Sequence, residues 1–304
     1  MDATVSVVIP TYRRNELLRE AIDSVLQQRY EPVEIIVVDD SGTGYAAPVC
    51  AEYEAVTSII RDENGGWGPA YTDGITAATG DYIQFLDDDD YLLPGRLRKS
   101  VDLIGACESV GVVYSGLIQD TRGPQYPNPS VSGNVLEHTL RAETYPCLTS
   151  TLLIDSTILT DLLPLPRLPA GNDLNLMIDL ARRTHFDYVD ECLVYRRAET
   201  SRMWVGLRRF EGMRQVIERQ REVYDRFPAI RREVLADLHE REGQYRLERT
   251  MWSWVAILCF AKAAYFATDT RYRCAAQIVA AIFGAPGLSV ARSVRETYVS
   301  VPVR

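Results

Sequence analysis

The sequence predicts an α/β fold, a mostly parallel sheet followed by a C-terminal helical appendage. Three observations predict it. Short apolar runs of strand length recur at residues 5–9, 34–38 and 82–86. Segments with a helical apolar period separate them. From Gly206 onward the helical period alone remains.

Each element has its own justification. Residues 5–9 form an apolar run closed by Pro10, as a buried strand does. Residues 16–28 carry apolar side chains at 17, 18, 21, 22, 25 and 26, one face of a helix. Residues 34–38 form a second buried strand, running into Asp39-Asp40-Ser41-Gly42. A helix over 45–53 and a third strand over 58–61 follow. Residues 64–69, Asn-Gly-Gly-Trp-Gly-Pro, read as a loop, and 70–78 as a helix closed by Gly80. The strand at 82–86 then delivers the chain to Asp87-Asp88-Asp89-Asp90. Strands alternating with helices imply right-handed βαβ units.

The middle is less regular. Strands are expected at 111–115 and 152–154, a helix at 174–183 and a short edge strand at 188–190. Residues 120–134, rich in Pro, Gly, Ser and Asn, read as a long exposed loop. Beyond 206, the spacing of Phe210, Met213, Ile217, Tyr224 and Phe227 predicts an amphipathic helix broken by Pro228. Further helices run to about residue 283. The apolar stretch 251–267 contains Lys262 and is short for a bilayer span. It reads as a core helix, with an interfacial helix as the alternative, and 274–283 can pair with it as a hairpin. The expected organisation is a first half of the α/β domain over 1–105, a second half over 106–205, and the helical region over 206–304.

Composition narrows the function. The 304 residues carry a net charge of −9, which argues against non-specific nucleic-acid binding. An anionic ligand would need a local cation, either a metal or clustered Arg. The six cysteines show no CxxC spacing, so zinc-ribbon and thioredoxin readings fail. Most of them read as buried apolar thiols of a reducing compartment. The N-terminus has no basic region and enters a strand directly, unlike a signal peptide, so a cytoplasmic protein is expected. The three His, at 138, 185 and 239, are far apart in sequence and suggest no His-based metal site.

The four consecutive carboxylates are the sharpest local feature. Such a cluster repels itself unless a cation joins it, and a hard divalent cation bridging to phosphate oxygens is the natural partner. A solvated acidic turn is the plain alternative. Position favours a site, because ligands of open α/β sheets bind at the carboxyl ends of strands. Three strand ends converge there: Pro10-Thr11-Tyr12, Asp39-Asp40-Ser41 and residues 87–90. They offer an aromatic ring, carboxylates for a base or ribose, and a metal seat against a diphosphate. No GxGxxG follows the first strand and no GxxxxGK[ST] occurs, so dinucleotide and P-loop readings lack support.

The runs VSVVIPTYRRNELLREAIDSVLQQRYEPVEIIVVDDS and NGGWGPAYTDGITAATGDYIQFLDDDDYLLPGRL resemble family 2 glycosyltransferases of the GT-A fold. The likeness is close over roughly 4–105 and loose to about 200. It implies inverting transfer of a sugar from a nucleotide diphosphate sugar, UDP-linked, to a hydroxyl of a glycan or lipid-linked acceptor. Pro10, Thr11 and Tyr12 would line the base pocket. Asp40 would contact the base with Asp39 in support, and Asp88 would approach the ribose. Asp87 and Asp89 match the family's DxD, Asp89 as the direct ligand of Mg²⁺ or Mn²⁺. Asp90 either joins them or fixes the following turn. The family's Glu-Asp pair reads Asn172-Asp173 here, leaving Asp173 as the catalytic base, with helix capping as its plain alternative.

Two departures stand out. The family's Ala-Arg-Asn, whose Arg approaches the diphosphate, is Ala70-Tyr71-Thr72 here. Arg196, Arg197 and Arg202 are candidates to replace it. The other departure is Asn172 in place of Glu. A catalytically weak nucleotide-sugar-binding protein is the alternative function. Thr149-Ser150-Thr151 and the 120–134 loop are expected to border the acceptor pocket. The helical tail can serve as a peripheral membrane contact, at the cytoplasmic face, or as a packing or homodimer element.

Overall fold

The computed structural model describes residues 2–197, 206–267, 271–284 and 286–287. Two compact units divide the chain, Met1–Val205 and Gly206–Arg304. Arg202 lies outside the described residues, as do 288–304 of the expected helical region.

The first unit begins β1 (Val5–Thr11), α1 (Asn15–Leu26), β2 (Val33–Asp39), α2 (Ala47–Cys50), β3 (Val56–Ile60), α3 (Trp67–Ala77) and β4 (Tyr82–Phe85). It continues β5 (Asp90–Leu92), α4 (Arg96–Ile104), β6 (Val110–Gln119), β7 (Gly123–Gln125) and α5 (Leu136–Arg141). A 3₁₀ turn (Thr149–Thr151), β8 (Leu152–Asp155), α6 (Ser156–Thr160), α7 (Asn172–Ala181) and β9 (His185–Arg196) complete it. The sheet order is β3-β2-β1-β4-β8-β6-β9-β5, with β7 on β6.

The expected parallel pairing holds across β3, β2, β1 and β4. Beyond β4 the sheet is mixed: β8 is antiparallel to both β4 and β6, and β9 is parallel to β6. The parallel part follows from the helical crossovers after β1, β2 and β3. Its central strands β1 and β2 are largely apolar on both faces because both are covered. Val5, Val7, Ile9, Ile35 and Val37 pack with the α1 stripe of Leu18, Ala21, Ile22 and Val25. Each such side chain contributes roughly 1.5–3 kcal/mol on burial. On the other face, Gly74 of α3 meets Val8 and Val38.

Several local expectations change. The helix expected over 45–53 shrinks to α2, flanked by turns. Its first turn contains Pro48, and Gly44 stands at positive φ just before it. α3 starts at Trp67, inside the stretch read as loop, because Pro69 fits a first helical turn. The 120–134 segment is only partly exposed, since it holds β7 and the fully buried Val131. The short edge strand is the twelve-residue β9, paired on both sides by β6 and β5. Register shifts against β6 near Ser115 and Gly116 break its alternation, which hid its length.

The second unit holds α8 (Arg208–Arg219), α9 (Arg221–Arg226), α10 (Pro228–Arg249), α11 (Trp254–Phe266) and α12 (Arg271–Ile282). Pro228 opens α10, and the Ser253 hydroxyl caps α11 by accepting from the Ala256 N–H. Leu247, Ala256, Phe260 and Ala281 form its core. No described helix is long and apolar enough to cross a membrane. His239, Glu242 and Cys259 gather possible ligand atoms within 4.8 Å. Arg214 and Arg246 already pair with Glu242, so that carboxylate is neutralised without a metal.

Candidate active site

The chain reverses its direction of growth at β1: β2 and β3 lie on one side, β4 on the other. The carboxyl ends of β1 and β4 therefore border a topological switch point, where open α/β sheets bind ligands. A cleft of about 360 Å³ opens there. Pro10, Thr11, Tyr12, Asp40, Asp87, Asp88, Asp89, Asp90 and Asp173 all line it.

Asp39 is the exception. Its carboxylate turns inward and accepts from the N–H groups of Ser41 (2.9 Å) and Ala46 (2.7 Å). Fully buried, it shapes the β2–α2 turn that presents Asp40. Asp40 accepts from the N–H groups of Gly65 and Gly66, both at 2.8 Å, and from Arg61 at 2.6 Å. It thereby ties the end of β2 to the loop that leads into Trp67.

The acidic cluster is bound together through several elements. Thr11 donates its hydroxyl to Asp88 at 2.8 Å, and Arg14 reaches both Asp88 and Asp89 at 2.9 Å. Buried Tyr71 donates its hydroxyl to Asp87 at 3.1 Å. Ser150, on the 3₁₀ turn, accepts from the Asp87 N–H (3.1 Å) and donates to the Asp90 carboxylate (2.7 Å). The Arg197 guanidinium donates to the Asp89 carbonyl at 3.2 Å. Asp90 begins β5, which departs to the far edge of the sheet against β9. Both readings of Asp90 thus have geometry behind them, since it anchors a strand and faces the cluster.

Burial pushes the Asp87 carboxyl well above its ordinary range, helped by the charges of Asp90 and Asp89. Burial likewise pushes Asp90 up to about 7, with Asp89 adding to the effect. Asp88 is raised by burial, against the pull of Arg14 and Thr11. The protein's own cations therefore leave the cluster under-neutralised. Possible ligand oxygens of Asp87, Asp89 and Asp90 lie within 4.8 Å of one another. An all-carboxylate set with that deficit fits a hard divalent cation such as Mg²⁺ or Mn²⁺.

Asp173 sits in the first turn of α7, across the cleft. Gly171 precedes the helix at its N-cap with φ 78°, a left-handed conformation that favours glycine. The Asp173 carboxylate accepts from the Leu174 N–H at 2.9 Å. Burial raises its carboxyl, opposed by that N–H and by the charge of Arg196. Asn172, which also lines the cleft, closes a two-way bond with the Leu168 backbone, at 3.1 and 3.2 Å. Gly68 seats the 163–171 loop on α3: a Cβ there would lie 2.0 Å from the Pro166 carbonyl oxygen.

Residue reasoning missed Arg14, Trp67 and the bracing role of Ser150. Arg14 was readable as a basic residue just past a strand end. Trp67 packs against Tyr71 with the rings tilted by 54° and their centroids 4.7 Å apart, and lines the cleft. Nothing local in the sequence announces the Ser150 contact, which spans sixty residues.

Comparison with known proteins bears on this arrangement. Residues 6–155 match the model of glycosyl transferase family 2. An uncharacterized glycosyltransferase of Rickettsia typhi, RT0329, is 34% identical over 113 residues, 37% of this chain and 36% of that protein. Another from Nostoc sp., alr2836, is 34% identical over 140 residues, 45% of this chain and 44% of its own length. Glycosyltransferase GlyA of Streptococcus pneumoniae is 32% identical over 121 residues, 38% of this chain and 17% of that protein. The match thus spans less than half of each of these relatives. Among solved structures, residues 1–349 of S. aureus TarS in complex with UDP-GlcNAc superpose with a TM-score of 0.65. Identity is 16%, covering 89% of this chain and 83% of that one, so the two share the GT-A fold. Through residues 6–155 the chain belongs to glycosyl transferase family 2.

Proposed function

We propose that the protein transfers a sugar from a nucleotide diphosphate sugar to an acceptor hydroxyl, with inversion at the anomeric carbon. The observation that carries this reading is convergence. The β1 terminus, Asp40, the acidic cluster and Asp173 face one cleft although they come from residues 10 to 173. In this reading residues 1–105 bind the donor and 106–205 the acceptor. Tyr12, Pro10 and Thr11 flank the base and Asp40 hydrogen-bonds it. Uracil is the base of choice, supported by the UDP-GlcNAc bound to TarS. Asp88 approaches the ribose.

Asp87 and Asp89 would hold Mg²⁺ or Mn²⁺, which when bound supplies positive charge to the departing diphosphate. Asp173 takes the acceptor hydroxyl proton as that oxygen bonds to the anomeric carbon and the bond to the diphosphate oxygen breaks. Burial raises its carboxyl, which makes it the stronger base. The acceptor is a glycan or a lipid-linked saccharide, bordered by Thr149 and Ser150 on the cleft wall. A nucleotide-sugar donor and unpaired cysteines fit a cytoplasmic setting.

Tyr71 favours a second reading, a nucleotide-sugar-binding protein with weak transfer, because the family's diphosphate Arg is absent from α3. One experiment separates the two. Hydrolysis and binding are measured across UDP-, GDP- and dTDP-sugars, with and without Mn²⁺, for wild type and Asp173→Asn. Metal-dependent hydrolysis of one donor, lost in Asp173→Asn while binding persists, supports transfer. Binding without turnover in any condition, saccharide acceptors included, supports the second reading. No binding of any donor refutes both.

A further inference from the structure

We propose that the helical unit docks on an anionic lipid surface through the outer faces of α11 and α12. Trp254, Leu258, Lys262 and Tyr265, spaced by three or four, form one exposed stripe of α11, with exposed Ala261 beside it. α12 packs on α11 and exposes Val279 and Ile282 in the same rhythm. At one end the two helices join into a single apolar tip. There the Trp252 indole N–H donates to the Ile282 carbonyl at 3.1 Å, and Gly284 lies against Met251. Met251, Trp252, Ile282 and Phe283 are all more than half exposed at that tip. A contiguous apolar patch of this kind marks an interaction surface.

Charge selects the occupant. Residues 206–304 carry 17 Arg and Lys against 11 Asp and Glu, a net charge of +6. Residues 1–205 carry 16 against 31, or −15. Such asymmetry between halves suits a polyanionic partner. Cations also frame the patch. Exposed Arg249 precedes the tip, Lys262 stands within the α11 stripe, and Arg232 donates to the Tyr265 and Phe266 carbonyls at the other end. Between residues 250 and 295 the one acid is Asp269, against five basic residues. Trp and Tyr beside apolar side chains, rimmed by Arg and Lys, match the headgroup boundary of a bilayer. A second copy of this basic surface would face like charge, which argues against a dimer here. The inference stands apart from the catalytic reading, since donor hydrolysis in solution tests that separately.

The test is co-sedimentation of the full chain with vesicles of phosphatidylcholine alone or equimolar with phosphatidylglycerol, at low and high salt. Binding to the anionic vesicles, weakened by salt, is expected. Trp252→Ser combined with Trp254→Ser should lower partitioning by about tenfold or more. Lys262→Glu, a surface change that leaves the core intact, should lower it about fivefold or more. Donor hydrolysis without vesicles should match wild type for both variants, and the thermal melt of Lys262→Glu should match it as well. The proposal is overturned if anionic vesicles bind no better than neutral ones, or if both variants bind as wild type does. A concentration-dependent dimer lost in Trp252→Ser would also overturn it, by assigning the patch to a second copy.

Discussion

Arg14→Ala tests whether the acidic cluster is a cation seat held ready by a guanidinium. Arg14 Nη1 sits 2.9 Å from oxygens of both Asp88 and Asp89, whose side chains are only 7% and 12% exposed. At an effective dielectric near 20, one such contact is worth about 6 kcal/mol before desolvation. Three effects reduce it. Arg14 is itself about a third exposed, ordering its long side chain costs entropy, and an abandoned carboxylate can take up a proton. Breaking a fully buried pair costs about 3–5 kcal/mol, so a net loss of about 2 kcal/mol follows for this one. For a domain of this size that lowers Tm by about 4–8 °C.

The discriminating variable is the metal. A cation bound at a hundred times its Kd stabilises by about 2.7 kcal/mol. In the variant it no longer competes with Arg14. Scanning calorimetry at pH 8 should therefore show a deficit in EDTA that closes in saturating Mn²⁺, with a larger Mn²⁺ shift in Arg14→Ala than in wild type. Equal Tm values in EDTA, or a deficit unchanged by Mn²⁺ and Mg²⁺, would refute the reasoning.

Three further outcomes are expected. Asp173→Asn should reduce turnover about 10²–10⁴-fold with little change in donor Kd. In wild type the rate should fall on the acid side at a pH above the ordinary carboxylate range, because burial raises Asp173; a flat profile down to pH 4 would count against the base. The Asp90 carboxyl is raised from 3.8 to about 7 on folding, so the native state holds that proton more tightly than the unfolded chain does. Its contribution to stability is complete below about pH 4 and is lost as pH rises to about 7. Asp90→Asn should flatten that part of the metal-free Tm–pH curve, and an unchanged curve would show Asp90 is not its source. Gly68→Ala should destabilise by at least about 1–3 kcal/mol, because its Cβ would overlap the Pro166 carbonyl oxygen at 2.0 Å; an unaltered urea midpoint would contradict that packing.

The sequence made the donor side of the fold legible because its signals are local. Buried parallel strands are continuous apolar runs, and their ends carry the polar residues that face a ligand. Residues 10–12, 40 and 87–90 could thus be named together before their geometry was known. The second half was harder for a physical reason. β9 is half-covered, so its polar and apolar residues mix, and the bulges against β6 interrupt the alternation that marks a strand. β5 is three residues long and begins within the acidic run, where charge masks any strand pattern. Asp173 was reached through resemblance alone, since an acid in the first turn of a helix is equally a capping residue. Asp39 shows the opposite limit: an adjacent carboxylate with the same composition turns inward to hold a turn.

With Tyr71 on α3, the cations lining this site come from other elements. Tyr71 is fully buried, its ring stacked on Phe85 at 4.3 Å and its hydroxyl on Asp87. A guanidinium in that place would bring a full charge into an aromatic pocket and would need more acceptors for its five N–H groups than one carboxylate offers. With Tyr there, α3 braces Asp87 from behind and contributes no charge to the cleft. The positive charge along the cleft instead belongs to Arg14, beyond the end of β1, and to Arg196 and Arg197, at the end of β9. Arg14 and Arg197 are already engaged with the cluster, through Asp88 and Asp89 and through the Asp89 carbonyl. A diphosphate entering beside a divalent cation would compete for those guanidiniums and release the carboxylates to the metal. Exchange of partners at a fixed cluster then couples donor binding to metal binding. Donor affinity in Arg14→Ala should accordingly fall most when Mn²⁺ is present; an equal fall with and without metal would break the coupling.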